Sequence, residues 1–295
     1  MSARSHLAIA VTVLAAAAGQ VAWAAATSAA RKPPDPSETL QEVTVTADRE
    51  KLEGRVSKYV NEIAELKNGE GLPRWKKPVC PLVSGLSRQD GEFILDRFSE
   101  IARDAAVPLA AEQCRPNLYI LVHPKPKELL LAMEKKNFAF TFGSPLAGEE
   151  APLPSVIDRF IATPRAVRVW DISVETNADG MPLGTPEPTT SRLSRPSIWS
   201  LSHVFVIVDQ TRLRGVTRGQ LADYVALVAL ADLKSGASLG DARTILNLFD
   251  GAPESAPAGM SDWDHSFLKS LYATDQAATL QRSQIAHRMV HGIAP

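Results

Sequence analysis

Apolar residues recur at helical spacing through Leu52, Val56, Tyr59, Val60 and Ile63, which predicts an amphipathic helix over 49–66. The same period runs through Ile94, Phe98, Ile101 and Ala105, after a capping signal of Ser87 with Asp90 three residues on. It returns in 127–136 through Leu130 and Met133. Strands show a different pattern. Residues 118–122 are an unbroken apolar run, as in a buried strand, and 166–174 alternates through Val167, Val169 and Ile172. The strongest strand signal is 203–209, where Val204 to Val208 are all apolar. Val43 and Val45 alternate with Thr44 and Thr46, a short strand signal at 42–46. An extended link is expected over 73–81, and a loop over 143–154. Residues 176–200 hold four prolines and little periodicity. That is long for a structureless loop, and it marks the place where the domain would subdivide. A helix capped by Thr217 and Gln220 is predicted over 217–233, with shorter helices at 241–249, 261–272 and 276–292. The order predicts an α+β fold: a mixed sheet packed with helices, its C-terminal third helical.

The first residues bear on location. Arg4 and His6 precede an uncharged apolar run over 7–18, and Ala22-Trp23-Ala24 has the small-x-small form of a cleavage site. This reads as a signal peptide cut after Ala24, too short in its apolar core to span a bilayer. Residues 25–41, rich in Ala, Ser, Pro and charge, read as a disordered linker, leaving 42–295 as a single domain. The expected location is the periplasm or the exterior. There two thiols in one domain usually pair, so Cys80 and Cys114 are expected as a disulfide, with two free buried thiols as the alternative. A formal net charge of −1 gives no electrostatic reason to expect nucleic acid as a partner. No membrane span is expected in the mature chain.

Helix 217–233 is apolar nearly all round, as buried helices are. It follows strand 203–209, and it precedes the segment 244–249 and a helix that opens Ser261-Asp262-Trp263-Asp264 and closes Leu271-Tyr272. This succession resembles the core of zincin-type metallopeptidases, where a strand precedes the active-site helix and a "T/S-x-x-D…LY" helix closes the core. Tyr224 to Ala231 then lies where zincins carry H-E-x-x-H-x-L-G. Tyr224 stands for the first metal histidine, Val225 for the general base, Val228 for the second histidine and Lys234 for the third ligand of the longer motif. Valine cannot ligate and tyrosine is a poor substitute, so the resemblance implies a zincin scaffold without its metal site. The chain also resembles uncharacterised exported proteins of Gram-negative bacteria. The shared stretches are W-x-x-P-[VI]-C-P-L-V-x-G-L (Trp75 to Leu86), C-x-x-N-L/F (Cys114 to Leu118) and L-Q-R-S-Q-I-A (Leu280 to Ala286).

Other candidate chemistry is sparse. His287 and His291 have the i, i+4 spacing of a zinc helix. Arg288 replaces the middle glutamate, and both histidines fall opposite the apolar stripe of Ile285, Met289 and Ile293. No third ligand is in view, and no metal or cofactor is expected. Asp262 and Asp264 suit the first turn of a helix. The leading expectation is a non-catalytic binding or structural role, with an envelope protein or a small ligand as partner. One alternative is a hydrolase whose site is assembled from His123, His203, Asp209 and Asp264. The other is an adaptor in TonB-linked uptake, because Leu40 to Ala47 resembles the start of a TonB-dependent receptor plug and reads as an exposed strand.

Overall fold

The apolar run at 203–209 belongs to a longer strand, Ile198–Asp209, in the computed structural model, and three of the other four strands pair with it. In chain order the elements are α1 (Pro36–Ile63), β1 (Arg74–Trp75), β2 (Pro81–Ser84), α2 (Arg88–Asp104), β3 (Leu118–His123), α3 (Pro126–Lys135) and α4 (Pro154–Ala162). Then come β4 (Val167–Thr176), β5 (Ile198–Asp209), α5 (Arg218–Leu230), a 3-10 turn at Ile245–Phe249, α6 (Asp262–Ala273) and α7 (Gln281–Ile293). The structure describes residues 36–64, 71–136, 152–177, 180, 198–234, 239, 242, 244–251, 255, 257–274 and 280–293, with side chains from residue 48 on. The chain divides into two units, Met1–Val45 and Thr46–Pro295, and the sheet belongs to the second.

β4 runs antiparallel to β5 along its length, from Val167 opposite Val208 to Thr176 opposite Ile198. The other edge of β5 is shared. β1 takes Ser200 and Leu201 in parallel, and β3 takes 204–209, also in parallel. A bulge between Ile172 and Ser173 falls between these two stretches, where Ser202 Oγ donates to the Ile172 carbonyl at 3.0 Å. β2 pairs in parallel with β3. The fold is therefore the expected mixed α+β arrangement, with one antiparallel strand on an otherwise parallel sheet.

Alternation along the strands supplies two apolar faces. Leu118, Ile120, Val122, Val204, Val206 and Val208 pack into a large core with α2, α5, α6, α7 and residues 56–64 at the end of α1. Phe205, Ile207 and Ile172 face the other way, onto Leu130 and Met133 of α3 and Ile161 of α4. α5 is buried on all sides: ten of its thirteen residues are buried, including Asp223. That carboxylate is held by Arg97 of α2 (Nε to Oδ1, 2.6 Å) and by the Met260 amide (2.8 Å). Gly85, at the exit of β2, has φ +89°, and a Cβ there would lie 1.8 Å from the Val122 carbonyl oxygen. Only glycine fits this crossing.

Cys80 and Cys114 form the expected disulfide, with Cα atoms 6.0 Å apart. It sits where Asn117 Oδ1 accepts the Cys80 amide at 2.7 Å, and it closes the chain around β2 and α2. No helix among the described residues is long and apolar enough to cross a membrane. The disulfide is compatible with an extracellular or periplasmic location. The expected signal peptide and its Ala24 cleavage site lie outside the described residues.

Several expectations are corrected. Residues 42–46 are not a strand but part of α1, and 36–41, read as linker, are its first turns. The Val/Thr alternation is flanked by good helix formers on both sides, and a helix once begun propagates through weak residues. The link 73–81 contains β1 and the first residue of β2. α4 was not expected; Pro154 sits in its first turn, where a proline costs nothing. Of the predicted helix 241–249, residues Ile245–Phe249 form a 3-10 turn, and 241 and 243 lie outside the described residues. Most of 176–200 lies outside the described residues.

Candidate functional site

A cleft of about 450 Å³ opens between β4 and the end of α5. Val167, Val169 and Asp171 of β4 form one wall, Leu201 and Val204 of β5 lie at its base, and Tyr224 and Val228 of α5 face them. The chain after α5, from Ala231 to Lys234, and the 3-10 turn, through Leu246 and Phe249, close the rest.

Local sequence fixes each wall. α5 begins with a reciprocal capping box: Thr217 Oγ1 accepts the Gln220 amide at 3.1 Å and Gln220 Oε1 accepts the Thr217 amide at 2.9 Å. Its far end is held by Trp75, whose Nε1 donates to the Ala229 carbonyl at 2.8 Å, and by Tyr272, whose hydroxyl donates to the Leu230 carbonyl at 2.8 Å. Ala231 then adopts an extended backbone, which ends the helix. The chain runs on to an antiparallel bridge between Leu233 and Ala64. The Lys234 amide donates to the Ile63 carbonyl at 2.9 Å, and its ammonium to the Asn61 carbonyl at 2.7 Å.

The 3-10 turn is pinned through Asp264. This carboxylate is fully buried and has five donors around it. Oδ1 accepts from Tyr59 Oη at 2.7 Å and Thr244 Oγ1 at 2.5 Å. Oδ2 accepts from the Ile245 amide at 2.9 Å, the Ser261 amide at 2.8 Å and Ser261 Oγ at 3.0 Å. Burial, and then the Asp264 charge, push the Tyr59 hydroxyl well above its usual pKa, so it stays a donor.

Of the four positions aligned with zincin ligands, Tyr224, Val228 and Lys234 share this cleft. Val225 does not; it is fully buried in the core. Tyr224 stands edge-on to Phe249, with ring centroids 5.0 Å apart. Desolvation, aided by the charge of Asp250 and opposed by Arg165, pushes its pKa up to about 12, so the cleft presents a neutral phenol. Among the described residues, no three His, Cys, Asp or Glu side chains gather as a metal-binding group.

The scattered residues of the hydrolase alternative are not brought together. His123 and Asp209 are neighbours in register at one end of the sheet. Each is engaged locally: His123 Nδ1 accepts the Lys125 amide at 3.1 Å, and Asp209 Oδ1 accepts from Thr211 Oγ1 at 2.6 Å and the Thr211 amide at 3.0 Å. His203 lies farther along β5, opposite Ile172, with its pKa lowered by burial and then by Arg115. Asp264 belongs to the α6 cap on the other side of the sheet. Residues 40–47, offered as an exposed strand for a TonB-linked partner, are helical. Compared with protein-family models, with curated proteins and with solved structures, the chain matches none.

Proposed function

We propose that this protein acts by binding, outside the cytoplasm, and that the cleft between β4 and α5 is its site on a zincin-like scaffold that lacks the metal ligands. The observation that carries the reading is that Tyr224, Val228 and Lys234 line one cleft. The order of elements supports it as well: an antiparallel edge strand, β5, a buried helix, a turn and a helix opening Ser261-x-x-Asp264. The cleft's volume falls within the range of small-molecule sites. Val167, Val169, Val228, Tyr224 and Phe249 give it an apolar and aromatic part, but its exposed lining is more polar than apolar, with both signs of charge in Arg165, Arg212, Asp171, Asp232 and Asp250. Such a surface suits a polar ligand that carries a small apolar group, and a short peptide segment or a small polar molecule has that form. Tyr224 offers a ligand the donor of a neutral phenol, the Lys234 ammonium is held on the Asn61 carbonyl, and neither supplies the base that would activate water.

A screen of short peptides and small molecules by thermal shift and by peptide hydrolysis, with and without added Zn²⁺, tests this. Wild-type protein should retain ligands without cleaving peptides. Val228→Trp, which fills the cleft, should abolish the retention while keeping the fold. Peptide cleavage that disappears on Tyr224→Phe would overturn the reading.

A further inference from the structure

His287 and His291 lie in the last two turns of α7, both exposed. Residues four apart on a helix are surface neighbours, and these two do more than share a face. Their Nε2 atoms are 3.2 Å apart, with ring centroids at 4.5 Å and the planes at 66°. Two imidazoles on one metal ion, with bonds of about 2.0–2.1 Å and an angle between square and tetrahedral, hold their nitrogens about 2.9–3.4 Å apart. The observed separation lies inside that interval. We infer that His287 and His291 form a two-histidine site for a late first-row divalent cation.

Three further observations fit this assignment. Imidazole nitrogen is a ligand suited to zinc, copper and nickel rather than to magnesium or calcium. The site is at the C-terminal end of its helix, where the partial negative charge of the free carbonyls favours a cation. Arg288, the nearest formal positive charge in sequence, is turned aside: it lines a separate groove with Asp262 and Lys269 of α6. In the metal-free pair one ring donates its Nε2 proton to the other. When a cation binds between them, the donor ring moves its one proton from Nε2 to Nδ1, where the other ring already carries its own, and both Nε2 lone pairs are then free to ligate.

Only two protein ligands are present, because no third His, Cys, Asp or Glu joins them among the described residues. Structural zinc sites are closed by four protein ligands. Here water completes the coordination, so the ion is exchangeable and open to a further donor. The site is thus an entry point for metal and not a structural staple. It is independent of the cleft reading, because no residue of α6 or α7 lines the cleft.

The test is Zn²⁺ titration of the full chain by calorimetry, with the imidazole nitrogens followed by NMR. Saturable one-to-one binding is expected, with the Nε2 signals of His287 and His291 shifting together. His287→Ala and His291→Ala should each weaken binding by more than the roughly 10–100-fold that loss of a mere supporting partner costs. His265→Ala should leave it unchanged. Both positions are exposed, so the variants fold. Zn²⁺ that shifts neither Nε2 signal, or a double variant that binds as tightly as wild type, would overturn the assignment.

Discussion

Asp264 shows how much one side chain can organise. Its five hydrogen bonds join α1 through Tyr59, the 3-10 turn through Thr244 and Ile245, and its own helix through Ser261. Asp264→Ala strips the acceptor from several buried donors at once. Each costs about 1–3 kcal/mol, so a loss on the order of 3–5 kcal/mol in urea-unfolding stability is expected. An unchanged midpoint and slope would show that water takes over these donors at no cost. The sequence announced part of this residue's role. Ser261 and Asp264 are three apart, and the cap they form is local. Tyr59 is 205 residues away, and nothing in either neighbourhood points to the other. The place of Asp264 in the hydrolase alternative was unreadable for the same reason: donors occupy both of its oxygens, and Tyr59, Thr244 and Ile245 come from elsewhere in the chain. Arg74 is a similar case. It is a buried charge whose Nη1 collects the Leu271, Tyr272 and Thr274 carbonyls at the end of α6, which no pattern around residue 74 reveals.

α5 is the element where sequence and site meet. Its nearly all-apolar character, broken by Asp223, and its Thr217–Gln220 cap were both readable, because burial and capping are written within the helix itself. Which side of it borders the cleft was not readable from composition, since every side is apolar. The structure separates two neighbouring valines: Val225 is wholly inside the core, and Val228 lines the cleft. An aspartate at 225 has no route to water and should prevent folding, whereas Val228→Asp can turn its charge into the cleft and should cost about 1–3 kcal/mol. Circular dichroism melts of the two variants check this, and equal losses would mean that the cleft is closed in solution. Shorter elements were harder to read. β1 has two residues and β2 has four, too few for a period to appear, and they exist because β5 and β3 offer edges to pair with. The Val/Thr alternation at 42–46 is the reverse case, a strand-like period in a stretch that joins a 28-residue helix.

At the scale of the molecule, the Cys80–Cys114 bond is the one covalent tie across the fold. It closes a loop of 34 residues in sequence separation that holds β2 and α2. By the chain-entropy model such a loop stabilises by about 3–4 kcal/mol, so reduction should lower the melting temperature by roughly 5–10 °C. Scanning calorimetry with and without a thiol reductant measures it, and a coincident pair of transitions would show that the bond contributes nothing to stability. The position of β5 carries a different consequence. Three strands depend on it, and it begins only at Ile198. During synthesis, β1, β2 and β3 emerge long before the strand that joins them. Until then only the β2–β3 pair has a partner, and the faces meant for α5 stay uncovered. Contacts this distant in sequence close slowly. The order of the chain therefore sets the sheet's closure late: its central strand is made after the other four strands.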